Sequence, residues 1–104
     1  MKNTADMIEY RHQIGERVQL LREQNNLSQT QLSLMTGVDR SYVSRIERGI
    51  ANASIDKLIA IAHAFDLSPS ELLYGIARPK GTSADTFILP MPKHPNANYD
   101  QIRI

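Results

Sequence analysis

From Thr4 to Gly75 the apolar positions return every three or four residues, the period of an α-helix that buries one face. Residues 4–25 read as one helix, with Met7, Ile14, Val18 and Leu21 on its inner side. Thr4 is placed to cap its start and Asp6 suits the positive first turn; Asn25 and Asn26 tolerate the left-handed backbone of a helix end. The stretch SQTQLSLMTG, residues 28–37, opens with the S-x-x-Q spacing of a capping box, Ser28 and Gln31. Leu32 and Met35 form its inner face, and Gly37 stops it. Only Val38 separates that stop from Asp39, a good N-cap, so two short helices joined so tightly must cross steeply. The third helix runs from Asp39 to Arg48 and ends at Gly49. A fourth runs from Ser54 to about Phe65, with Ile55, Leu58, Ile59, Ile61, Ala62 and Phe65 nearly filling one side. The fifth has Ser68 as cap, Pro69 at its first position and Glu71 closing a second capping box, and ends at Gly75. With no alternating strand pattern in this region, the predicted fold is all-α, one five-helix domain over residues 1–78.

Beyond Gly75 the pattern changes. Pro79, Pro90, Pro92 and Pro95 interrupt the chain, and neither capping boxes nor a helical period recur. FILPMP (87–92) and YDQIRI (99–104) hold enough β-formers for short strands. Residues 79–104 are therefore expected to be a tail, either flexible or completing a dimer interface, because Phe87, Ile88 and Leu89 are costly to leave in water.

The third helix, DRSYVSRIERG, carries the chemistry. Val38, Tyr42, Val43, Ile46 and Ile50 fall at helical intervals and face inward, which leaves Arg40, Ser41, Ser44, Arg45 and Arg48 outside. That outer face has three guanidinium groups, two hydroxyls and no acid. A solvated face with incidental arginines would look the same in an isolated helix. The capped short helix and tight glycine turn before it change the reading, since a helix-turn-helix holds its second helix proud enough to enter the DNA major groove. Arginine pairs bidentately with guanine O6 and N7, and serine is permissive.

Composition adds mainly exclusions. A chain of 104 residues has room for one modest core. The formal net charge of +1 argues for no partner by itself, so only the placement of charge matters. No cysteine means no disulfide, zinc-thiolate site or thiol nucleophile. There is neither an apolar run of the roughly 20 residues that span a membrane nor a secretory signal, so a cytoplasmic, nucleoid-associated protein is expected. His12, His63 and His94 are scattered, Asp56 and Asp66 read as helix-end charges, and neither a glycine-rich phosphate loop nor an H-E-x-x-H pattern occurs. No enzymatic activity, metal or cofactor is expected.

IGERVQLLREQNNLSQTQLS, TGVDRSYVSRIERG and NASIDKLIAIAHAFDLSPSELL, in that order, resemble the lambda-repressor-like, Cro-type helix-turn-helix proteins, also called the XRE family, over about residues 14–75. The resemblance implies a sequence-specific transcriptional regulator, a repressor more readily than an activator. It would bind double-stranded DNA as a homodimer on a palindromic operator. It implies base contacts from Arg40, Ser41, Ser44 and Arg45. It implies phosphate contacts from Gln29, which also braces the start of the recognition helix, and from Arg48, Asn52, Ser54, Lys57 and the amides of Gly49 to Ser54. Tyr42 is counted with the phosphate contacts, open between a core-edge ring and a hydroxyl that reaches the DNA backbone. Arg22 and Glu47 match an internal ion pair, expected to add modest stability. Ser33 stands where relatives often have alanine, and IANAS (50–54) lacks a basic residue, so the phosphate footprint is light and a shallow salt dependence is expected. The competing expectation is an antitoxin-like or adaptor protein that binds a protein partner through the tail.

Overall fold

The computed structural model describes residues 4–77, and the tail assigned to 79–104 with its two candidate strands lies outside them. Five helices follow in order: α1 Thr4–Gln24, α2 Gln29–Thr36, α3 Arg40–Glu47, α4 Ile55–Ala64 and α5 Pro69–Leu72. The described residues contain no strand.

Local chemistry sets most boundaries. Ser28 and Ser68 each form a complete capping box, with Gln31 and Glu71 respectively. Asp39 caps α3 through the Ser41 amide, and Ser54 caps α4 through the Lys57 amide. Gly37 and Gly49 end their helices at φ 76° and 78°, a left-handed backbone that costs glycine nothing. Two terminal expectations change. Thr4 is already helical rather than a cap. α5 stops at Leu72 instead of continuing to Gly75, because the chain tightens into i→i+3 bonds, Tyr74 N–H to the Glu71 carbonyl (3.2 Å) and Ile76 N–H to the Leu73 carbonyl (3.1 Å).

One core gathers Val18 and Leu21 from α1, Leu32 from α2, Val43 and Ile46 from α3, Leu58, Ile61 and Ala62 from α4 and Leu72 from α5, with Val38 and Ala51 closing it from the turns. Four apolar residues assigned inward stand outside it. Met7 is exposed because a 21-residue helix, about 31 Å long, outruns the eight-residue helices beneath it. Met35 is exposed because the inner stripe of α2 is Gln29, Leu32, Ser33 and Thr36, one position away. Ile50 is exposed because Gly49 turns the chain out of helical register, and Ala51 is buried in its place. Ile55 sits in the first turn of α4, at the rim of the core, and is exposed.

α1 is fastened to the C-terminal end of the described domain. Arg17 donates to the carbonyls of Leu72 (2.9 Å) and Glu71 (3.0 Å), satisfying acceptors at the end of α5. The Gln13 amide pairs with both backbone groups of Ala77, each at 2.8 Å. These two staples hold α5 and the segment after it against the bundle.

Candidate nucleic-acid interface

The turn between α2 and α3 fixes how far α3 stands out. Gly37 donates its N–H to the Ser33 carbonyl (2.9 Å), and the Thr36 hydroxyl donates to the Leu32 carbonyl (2.8 Å) while accepting from Val38 N–H (3.1 Å). Val38 is buried, which pins the turn from below. The inner side of α3 then has two anchors. Val43 and Ile46 fill the core, and Gly15 lets α1 touch the backbone of α3 directly. A Cβ at position 15 would stand 2.3 Å from the Ile46 carbonyl oxygen and 2.5 Å from that of Glu47. Gly15 was not singled out from the sequence. A glycine inside a helix costs up to about 1 kcal/mol relative to alanine, and that anomaly was its available signal.

Behind α3 lies a polar node. Arg22 donates Nε to Glu47 Oε2 (2.6 Å) and Nη2 to Oε1 (3.0 Å), and its Nη1 donates to the Leu27 carbonyl (2.8 Å). Gln29 Nε2 adds a bond to Glu47 Oε1 at 3.0 Å. The Arg22–Glu47 pair stands where expected, but the side chains are only 12% and 3% exposed, so the modest worth of a surface pair does not apply. Glu47 holds Arg22 above the ordinary arginine value through that hydrogen bond, against the opposing effect of burial. Gln29 bonds to α3, yet at its last residue rather than at the start where bracing was expected: the partner, Glu47, lies at the end of α3.

On the outer side, Arg40, Ser41, Arg45 and Arg48 are exposed and Ser44 is half-buried. No acid lies within ion-pair distance of the three arginines among the described residues. Ser41 is committed in one direction, because its hydroxyl and its backbone N–H both donate to Asp39 Oδ2. The hydroxyl bond and then the amide bond hold the Asp39 carboxyl below the usual carboxylate range. Beside these residues the loop after α3 folds back. Gly49 and Ile50 donate their amides to the Ile46 and Arg45 carbonyls, both at 3.0 Å. Those two amides, expected at phosphates, are thus committed to the end of α3, and the amides of residues 51–54 have no intramolecular acceptor among the described residues.

The Tyr42 hydroxyl donates to the Asn52 carbonyl (3.0 Å), so its one hydrogen is turned to the loop and not toward the phosphate it was expected to meet. Its half-buried ring carries two cations, Arg45 Cζ at 5.2 Å and Lys57 Nζ at 5.0 Å from the centroid. Asn52 and Ser54 are exposed at the loop and the α4 N-terminus. The arrangement therefore brings Tyr42, Arg45, Asn52 and Lys57 into one cluster, with Arg40 and Ser41 a turn away on the same helix. It has the chemistry of a helix that reads base edges flanked by donors and cations that meet phosphates.

Comparison with known proteins agrees with this geometry. A helix-turn-helix family model matches residues 18–72. The control protein C.SmaI of Serratia marcescens is 38% identical over 60 residues, covering 58% of this chain and 71% of that protein. The control protein C.BamHI of Bacillus amyloliquefaciens is 37% identical over 60 residues, covering 57% and 74%. Among solved structures, the restriction-modification controller protein C.AhdI from Aeromonas hydrophila superposes with a TM-score of 0.57 at 40% identity, covering 65% of this chain and 97% of its own. No helix among the described residues is long and apolar enough to cross a membrane. With its capped α2, glycine turn and outward cationic α3, this chain belongs to the helix-turn-helix family of DNA-binding transcriptional regulators.

Proposed function

We propose that the protein is a sequence-specific repressor that binds a palindromic operator as a homodimer. Each protomer would set α3 in one major-groove half-site, the two sites lying about one helical turn, roughly 34 Å, apart. The outer face of α3 carries this reading: three arginines, none in an ion pair with an acid among the described residues, project from a helix whose inner face is locked to α1 and the core. Arg40 and Arg45 supply the guanidinium fork that matches guanine O6 and N7. Ser41, its hydrogen directed at Asp39, presents lone pairs, which match the amino groups of adenine N6 or cytosine N4. Ser44 lies between them and tolerates either kind of edge.

Phosphates would be met by Arg48, Asn52, Ser54, Lys57 and the amides of residues 51–54, with the N-terminus of α4 adding partial positive charge. Gln29 keeps one amide hydrogen free after bonding Glu47, enough for a phosphate oxygen. Tyr42 serves this surface from behind, holding Asn52 and Lys57 in place. So few phosphate contacts in a monomer release few counterions, which makes a dimer necessary and the salt dependence shallow. Repression follows by exclusion, since an occupied operator is closed to polymerase.

The test is selection from a random duplex pool by the full chain, followed by a promoter assay on the enriched site. A palindrome with half-sites about 10 base pairs apart, and lower transcription when it overlaps the promoter, is the expected result. No enrichment, together with co-purification of a protein partner, would favour the adaptor reading instead.

A further inference from the structure

We propose that Tyr42 is a positioning residue for both kinds of DNA contact: its ring holds Arg45 of the reading helix and Lys57 of the backbone clamp in one preset arrangement. This rests on the DNA-binding surface proposed above and adds to it a physical link between its two halves. The observations are three contacts of one side chain, namely two cations over the ring and the hydroxyl bond to Asn52.

Arginine and lysine have the longest and most mobile side chains, so fixing them at a ligand carries a large entropy loss. A ring that attracts both cations removes part of that loss before DNA arrives. The same ring brings two like charges together at a common site, and an approaching phosphate relieves their repulsion. Tyr42 can do this because it is itself immobile: half-buried against the core on one side and tied to the loop by its hydroxyl. It joins α3, the loop and α4, so a change at the ring reaches base reading and phosphate binding together.

The experiment uses the full chain and compares the wild type with Tyr42→Phe, Tyr42→Leu, Arg45→Ala/Lys57→Ala and the triple variant on specific and scrambled duplexes. Tyr42→Phe, which keeps the ring on its half-buried seat and gives up only the tie to Asn52, should retain most of the wild-type preference. Tyr42→Leu should lower discrimination at the Arg45 base pair by about tenfold and weaken scrambled DNA as well. In the Arg45→Ala/Lys57→Ala background the leucine substitution should cause no further loss of base discrimination, because the two cations its ring positions are gone. An equal loss in that background would overturn the proposal, showing that the tyrosine acts only through the fold. Should Tyr42→Leu not fold, the free wild type still decides. Its Arg45 Hδ and Lys57 Hε resonances should be moved upfield by the ring and stay so on DNA binding, and unshifted resonances in the free wild type would overturn the preset arrangement. A wild type with no sequence preference at all would instead sink the regulator reading itself, so the two failures are separable.

Discussion

Replacing Glu47 with alanine removes the carboxylate at the centre of the buried node and leaves Arg22 charged with one of its three strong bonds, that to the Leu27 carbonyl. At an effective dielectric near 20 a pair about 4 Å between charge centres is worth about 4 kcal/mol, and deleting one partner of a buried pair costs about 3–5 kcal/mol. The two estimates agree because the side chains are 12% and 3% exposed, which leaves little water to compensate. Gln29 loses its partner as well, and the end of α3 loses its tie to α1 and α2. A domain of this size shifts by about 4–8 °C per kcal/mol, so the melting temperature should fall by roughly 12 °C or more. Circular-dichroism melts and urea titrations at neutral pH measure it. The double replacement Arg22→Met/Glu47→Leu should recover most of the loss, since it leaves no unpaired buried charge. A Glu47→Ala cost below about 1 kcal/mol, the range of an exposed pair, would refute the buried-node reasoning. So would a double variant less stable than the single.

Gly15→Ala should destabilise by about 1–3 kcal/mol despite the higher helix propensity of alanine, because the new methyl would press on the backbone of α3; a higher urea midpoint would show that the two backbones do not need this approach. Because its folded carboxyl is lowered, Asp39 contributes stability fully above the ordinary carboxylate range, and that contribution fades as pH falls through the lowered value. The Ser41 amide shift should follow that acid titration with a midpoint below the usual aspartate range, and Asp39→Asn should abolish it. Arg45→Ala should relax preference at one or two base pairs by about 1–3 kcal/mol, whereas Gln29→Ala should weaken specific and scrambled DNA about equally. An equal loss on both duplexes for Arg45→Ala would mark Arg45 as a phosphate contact. Gln29→Ala should also lower the melting temperature through Glu47.

Much of the helix-turn-helix could be read one residue at a time. Ser28 with Gln31, Ser68 with Glu71, and Asp39 with Ser41 are bonds across two or three positions, so side-chain type and spacing suffice to place them. The left-handed stops at Gly37 and Gly49 follow from the same local sterics. The outward set Arg40, Ser41, Ser44, Arg45 and Arg48 followed from helical period alone. Period failed where its premise ended. Ile50 lies past a glycine that breaks the helix, and Met35 lies one step off a stripe that polar Gln29, Ser33 and Thr36 share with Leu32.

The sequence by itself determined most of the helix boundaries and which cations one helix turns outward, because those are short-range consequences of bonding and pitch. Only the tertiary structure decided what stands behind them. The Arg22–Glu47 pair across 25 residues was implied by the family resemblance but its burial was not, and neither was the bond of Gln29 to Glu47 across 18 residues or of Gln13 to Ala77 across 64. Tyr42 gathers Arg45 and Lys57 from two helices. Whether such groups meet, and whether water reaches them, depends on how the helices pack, and that sets both the strength of the Arg22–Glu47 pair and the task of Tyr42.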